Sequence, residues 1–245
     1  IKSKFIEKYS FFHIENLTFI YWYKQTRKGT IMNWLEAFIL GIIQGLTEFL
    51  PISSTGHLYL GRHLFQLDEA GLFLDTMLHI GTLLAVFIYY KKEFIYLIKN
   101  PFSKLMLLLI VGTIPAVVIG LLFKDFFEDI SKTGITIGWE FLVTGFFLYM
   151  ADKQKNGRKK MDDITYKDAF IIGSFQAAAI FPAISRSGMT IVAALWRKLD
   201  RETAAYFSFL LSTPAIVGAI ILQLADVYQG KAESISSTSL IVGTL

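Results

Sequence analysis

Three runs, Gly71 to Tyr90, Leu105 to Phe123 and Ala204 to Ala225, are almost unbroken apolar side chain, and each has the ~20 residues that an α-helix needs to cross the ~30 Å core of a bilayer. A fourth, Gly134 to Ala151, carries only Glu140 as a charged group before its end. With 53% hydrophobic residues, 22 Phe and 18% charged residues in 245, the chain is too apolar for an ordinary soluble domain. These features predict an all-α, polytopic, multi-pass membrane protein. Cysteine is absent, which excludes a disulfide framework and a thiolate metal site. Membrane lipids are expected neighbours, and no nucleic-acid partner is expected.

Two further apolar stretches, Trp34 to Leu64 and Ala169 to Leu195, are interrupted near their middles by Pro, Ser and Gly. Each reads as a helix-loop-helix hairpin rather than a straight span. A broken helix at membrane depth is tolerated only where its loop lines a protein-buried or watery cavity. Basic residues set the orientation. The connection Lys91 to Lys104 holds four Lys against one Glu, and Asp152 to Lys167 holds six Lys or Arg against three Asp, so both are predicted to be cytoplasmic. Lys124 to Lys132, with two Lys against three acids, is predicted to lie outside. Alternation then makes the first hairpin enter and leave on the outer side and the second on the inner side, as two opposed re-entrant hairpins.

Opposed hairpins suggest an inverted repeat. GIIQGLTEFLPISSTG, from Gly41, aligns without a gap on GSFQAAAIFPAISRSG, from Gly173. Gln44 then meets Gln176, Phe49 meets Phe181, Ser53 meets Ser185 and Gly56 meets Gly188. Residues 1 to 31 mix Lys, Tyr, Trp and Asn without period ahead of Met32, and are expected to be a non-native stretch or an interfacial arm. Residues 32–245 are expected to form one integral membrane domain, truncated within the apolar helix that SLIVGTL opens.

Each break is followed by a new half-helix, beginning near Ser54 and near Ser187. Helix N-termini offer unpaired N–H groups and partial positive charge, which favour phosphate. Two such ends meeting at the midplane would form a cup for a polyanion. Arg186 adds a bidentate fork, and Ser53, Ser54, Ser185, Ser187 and Thr190 add hydroxyl donors. An ionised side chain at a helix centre costs about 2.5–3.5 kcal/mol on insertion scales, so Glu48 and Arg186 need a reason. They are either a mutually neutralising structural pair or a working one. In the working case Arg186 binds phosphate, while Glu48, with Gln44 one turn earlier, holds a divalent cation or positions a water.

His57, three residues after Ser54, is a candidate general base to Ser54, general acid or phosphoryl acceptor, against the plainer role of a structural His near a helix end. Asp75 and His79, one turn apart, read as support for the site or as an intrahelical pair, and Glu140 as a residue near a membrane interface. Pro115 and Pro214 predict kinks. The run Lys153 to Lys160 reads as a solvated loop beside anionic headgroups.

These residues closely resemble the bacterial undecaprenyl-diphosphatase family, linked to bacitracin resistance, from Met32 to Leu245. QGLTEFLPISSTGH resembles its first motif, with Gln44, Glu48, Ser53, Ser54 and His57 in place; FPAISRSGMT resembles its second, with Ser185, Arg186, Ser187 and Thr190. Ala183 departs from a usual Gly, and Gln44 stands where many members have Glu, leaving Glu48 as the primary carboxylate. The resemblance implies a catalytic domain that removes the terminal phosphate of undecaprenyl diphosphate and so regenerates the lipid carrier of cell-wall synthesis. It implies a divalent cation, Mg2+ or Ca2+, at Glu48. It also implies a bacterial plasma (inner) membrane location and bacitracin as an indirect competitor that binds the substrate; a homodimer is compatible with it. Glu48, Ser54, His57 and Arg186 would be catalytic, and Gln44, Ser53, Ser185, Ser187 and Thr190 would bind substrate. The competing class is a transporter or flippase of a phosphorylated polyprenyl lipid, since broken helices in inverted repeats also build carriers. A distant likeness to acid phosphatases with a nucleophilic His lacks their other motifs.

Overall fold

A computed structural model describes residues 32–67, 72–228 and 235–245. The stretch 1–31, expected to be a non-native stretch or an interfacial arm, lies outside the described residues. Among the described residues the chain is all-helical: α1 Trp34–Thr47, α2 Ser54–Phe65, α3 Leu72–Tyr89, α4 Lys91–Lys99, α5 Lys104–Leu122, α6 Lys124–Thr133, α7 Ile137–Asp152, α8 Tyr166–Ala178, α9 Arg186–Trp196, α10 Arg201–Tyr228 and α11 Ser237–Thr244. A 3-10 turn, Met161–Asp163, precedes α8.

Local chemistry sets these boundaries. Asn33 and Glu36 close a capping box on α1, the Asn33 side chain accepting from the amides of Leu35 and Glu36 at 3.0 Å each. Thr165 and Asp168 build the same box on α8. Ser53 caps α2 through the Gly56 amide at 3.3 Å, and Ser185 caps α9 through the Gly188 amide at 3.1 Å. The alignment that sets Gly41 on Gly173 also pairs these caps, Asn33 with Thr165 and Ser53 with Ser185.

Two apolar cores result. One gathers Leu108 and Leu109 of α5, Ile172 of α8, Ala193 of α9 and Phe207, Leu210 and Leu211 of α10. The other gathers Ala37 and Leu40 of α1, Leu58 of α2, and Leu74 and Leu78 of α3, with Leu240 of α11 packed against it. In a lipid setting such helices associate through close packing at small residues rather than by hiding apolar surface from water. Gly173 shows this: a Cβ there would lie 1.9 Å from the Gly112 carbonyl oxygen, so α8 and α5 touch backbone to backbone. On the other core a Cβ on Gly41 would lie 2.3 Å from the Gly243 carbonyl oxygen, so α1 and α11 meet the same way.

Large apolar side chains face outward, with Ile88, Leu122 and Trp139 at 72%, 71% and 73% exposure, a surface suited to lipid and not to water. Among the described residues two helices are long and apolar enough to cross a membrane, Lys104–Leu122 and Arg201–Gln223. Phe73–Tyr89 with Lys91–Lys99 would make a third, bent by 80°. The protein is a membrane protein. Two segments expected as connections are helical instead. In α4 and α6 apolar residues (Phe94 and Leu97; Phe126, Phe127 and Ile130) recur at helical spacing between the charges that had marked them as loops.

Candidate active site

Both predicted breaks are present, between α1 and α2 and between α8 and α9, and they face each other. Ser53 adopts φ 67°, ψ 100°, a left-handed conformation that costs a residue with a side chain of the order of 1–3 kcal/mol. It is held from three sides. Its Oγ accepts from the Gly56 amide and donates to the Pro182 carbonyl at 3.4 Å, and its own carbonyl lies 2.7 Å from His57 Nδ1. The second break is braced by α7: the Ala183 amide donates to the Glu140 carboxylate and the Ser185 amide to Thr144 Oγ1 at 3.1 Å. Ser187 Oγ donates across to the Leu50 carbonyl at 3.1 Å.

Glu48 sits where these elements converge. Its Oε1 accepts from the Arg186 guanidinium. Its Oε2 accepts from Ser54 Oγ at 2.5 Å and from Gln44 Nε2 at 3.0 Å, with His79 Nε2 at 3.3 Å. The other ring nitrogen of His79 lies 2.5 Å from the Asp75 carbonyl, which fixes the ring on its helix.

A cavity of ≈ 560 Å³ opens beside this cluster. Glu48, Ser53, Ser54, His79, Ser185, Arg186 and Ser187 form its polar end, and Val117 and Leu121 of α5 with Ile220 and Ile221 of α10 its apolar wall. A polar cup continuing into an apolar trough suits an amphiphile with an anionic head.

Of the residues singled out in the sequence, Glu48, Ser53, Ser54, Ser185, Arg186 and Ser187 come together on this wall. Three do not lie on it. Gln44 touches Glu48 from behind. Thr190 turns its hydroxyl to the Arg186 and Ser187 carbonyls of its own helix and to Ser208 Oγ at 2.5 Å, tying α9 to α10. His57 faces Phe141, ring centroids 5.3 Å apart, with its Nδ1 on the Ser53 carbonyl. Glu140, expected near an interface, is instead 4% exposed and braces the second break, because the free amide of Ala183 needs an acceptor there. His79 enters the first contact set of Glu48; the Asp75–His79 spacing was its only sequence signal. Gln176, whose alignment with Gln44 was visible, also lines the cavity.

A cation finds limited protein ligation here. Among the described residues no three His, Cys, Asp or Glu side chains group as metal ligands. Gln44 Oε1, however, is buried beside Glu48 without a partner among the described residues. One carboxylate and one spare amide oxygen fit a hard cation carried mainly by phosphate oxygens, and not one caged by protein alone.

The profile of the bacitracin resistance protein BacA family matches residues 37–245. "Undecaprenyl-diphosphatase 4" of Bacillus thuringiensis (strain Al Hakam) is 99% identical over 214 residues, 87% of this chain and 83% of that protein. "Undecaprenyl-diphosphatase" of Carboxydothermus hydrogenoformans is 50% identical over 201 residues, 82% of this chain and 77% of that protein. That of Alkaliphilus metalliredigens is 44% identical over 233 residues, 87% of this chain and 85% of that protein. With the profile covering most of its length and such relatives on both sides of 50% identity, the chain belongs to the bacitracin resistance protein BacA family.

Proposed function

We infer that the protein is a membrane phosphatase that hydrolyses undecaprenyl diphosphate to the monophosphate and inorganic phosphate, recycling a lipid carrier of cell-wall synthesis and lowering sensitivity to bacitracin. The observation that carries this for the site is Glu48, which joins a hydroxyl nucleophile, Ser54, to a phosphate-binding guanidinium, Arg186, at the mouth of an apolar trough. Relatives named for this activity at high identity support the same reaction. Nothing among them favours a carrier of phosphorylated lipids.

In this reading the prenyl chain lies along α5 and α10. The terminal phosphate takes the Arg186 guanidinium from Glu48, aided by Ser185, Ser187 and the N-terminal amides of α2 and α9. Glu48, released from the ion pair, accepts the Ser54 proton as Oγ attacks the terminal phosphorus. The bond from that phosphorus to the bridging oxygen breaks, and Glu48 hands the proton to the departing monophosphate. Water then attacks the phosphoserine, Glu48 carries one of its protons to Ser54, and phosphate leaves. His79 holds Glu48 from the far side, and His57 keeps Ser53 in its left-handed turn. Glu48 and the Gln44 amide oxygen would hold a divalent cation brought in on the diphosphate, which supplies charge neutralisation.

The fold reading that accompanies this is a multi-pass protein of the bacterial plasma membrane with two re-entrant hairpins in an inverted repeat. Paired caps, gapless alignment of the breaks and the matching glycine crossings support it. The test is phosphate release from farnesyl and undecaprenyl diphosphates by the purified chain in detergent, with and without EDTA, beside Glu48→Ala and Arg186→Ala. Metal-dependent release lost in both variants is expected; lipid binding without release by folded protein would turn the reading into that of a carrier.

A further inference from the structure

Gln176 of α8 is 2% exposed, yet neither its Oε1 nor its Nε2 has a hydrogen-bond partner among the described residues. It lies on the wall of the same cavity as Glu48 and Arg186. Leaving both ends of a primary amide buried and unpaired costs free energy unless something that enters the cavity satisfies them. Gln44, its aligned counterpart, meets half of that need, its Nε2 donating to Glu48 one turn on while its Oε1 stays unpaired among the described residues. One turn on from Gln176 stands Ile180, which offers no polar group.

Position narrows what the amide serves. Gln176 is one turn past Gly173, where α8 touches α5, and Thr113 and Ala116 of α5 line the cavity with it. The reacting groups Ser54 and Glu48 belong to the other hairpin. The amide therefore stands toward the apolar wall, where the headgroup joins its hydrocarbon chain.

We propose that Gln176 binds the phosphate that stays on the prenyl chain, with Nε2 donating to a phosphoryl oxygen and Oε1 accepting from a water or a protonated oxygen. The proposal rests on the phosphatase reading. An uncharged amide suits this post. It grips the same phosphate before and after cleavage, without the fixed positive charge that would hold a monophosphate dianion and slow its departure.

The test compares the wild-type chain with Gln176→Leu and Gln176→Met in detergent, using farnesyl diphosphate as substrate. KM, kcat, inhibition by farnesyl monophosphate, inhibition by inorganic phosphate and melting temperature are read for each. Both variants are expected to raise KM and weaken monophosphate inhibition by about tenfold, the size of one hydrogen bond to a charged group. Inorganic phosphate inhibition and melting temperature should stay close to wild type. Unchanged monophosphate inhibition in a folded, active variant overturns the proposal, as does an equal loss of monophosphate and inorganic phosphate binding, which would move Gln176 to the terminal phosphate. A wild-type chain that releases no phosphate refutes the phosphatase reading instead, and the two failures are thereby separate.

Discussion

The guanidinium of Arg186, at the start of α9, donates to the carboxylate of Glu48, at the end of α1, so one partly buried ion pair joins the two hairpins. Removing Arg186 leaves the buried Glu48 with Ser54, Gln44 and His79 but without its guanidinium, and a loss of up to about 3–5 kcal/mol is expected for Arg186→Ala. Melting temperature in detergent measures it. The double variant Glu48→Gln with Arg186→Met should recover much of the stability and none of the activity, since the neutral pair removes the stranded charge together with the phosphate ligand.

Ser54 gives its hydroxyl to Glu48 at 2.5 Å, which would set the proposed nucleophile on its proposed base. Ser54→Ala is expected to lower kcat by roughly 10³-fold with a modest change in KM. Rapid acid quench with substrate labelled in its terminal phosphate should leave label on the wild-type protein. If none is trapped and Ser54→Ala keeps substantial activity, water is the direct nucleophile.

In the proposed mechanism His57 acts through Ser53. Its Nδ1 on the Ser53 carbonyl helps hold a backbone conformation that a serine adopts only under constraint. His57→Ala should lower both kcat and melting temperature, while His57→Asn, whose amide can donate to the same carbonyl, should restore part of both. A His57→Asn variant as stable as wild type but wholly inactive would assign the ring a chemical role.

Away from the cavity, Asp200 precedes α10 and accepts from the Thr203 amide at 2.9 Å and from Lys160 at 2.9 Å. The Thr203 amide, then the Lys160 ammonium, hold its carboxyl below the usual carboxylate range, with burial opposing them more weakly. Because the folded value lies below the unfolded one of about 3.9, the stabilisation is full above that value and is lost as pH falls through the folded value. Asp200→Asn keeps the cap and should flatten the acid limb of a melting-temperature profile below about pH 4; Asp200→Ala should also cost about 1 kcal/mol at neutral pH.

The breaks at 48–53 and 179–185 were legible because Pro51 and Pro182 are each followed within three residues by a Ser able to cap a new helix, and Glu48 and Arg186 because charge within an apolar segment demands a partner. The helices α3, α5, α7 and α10 followed from length and apolarity alone, and of these α5 and α10 are long and apolar enough to span a membrane by themselves. In the sequence His79 reads as support for the site or as half of an intrahelical pair, and Gln176 only as the counterpart of Gln44, because what each one faces is contributed by another helix: Glu48 at the end of α1 for His79, and the cavity wall shared with α5 for Gln176. His57 meets the carbonyl of the left-handed Ser53, and no residue type announces that conformation in a serine. α4 and α6 were hidden by their charges, which mark one face of an interfacial helix as readily as a loop.

The glycine crossings give a further expectation. Gly173→Ala would force α8 off α5, and Gly41→Ala would force α1 off α11, each against a backbone carbonyl that has no rotamer to yield. Each should cost about 1–3 kcal/mol, read by melting in detergent.

Those same contacts bear on the order of synthesis. The first helix among the described residues, α1, rests on the last of them, α11, across nearly the whole span of the described residues. While the ribosome is still at work, the first hairpin has its serines and its glutamate but lacks the surface it leans on. The growing chain must keep that polar loop open in or beside the bilayer until α11 has emerged, so on the proposed function the first hairpin gains its support for binding a lipid phosphate only long after its own residues are made.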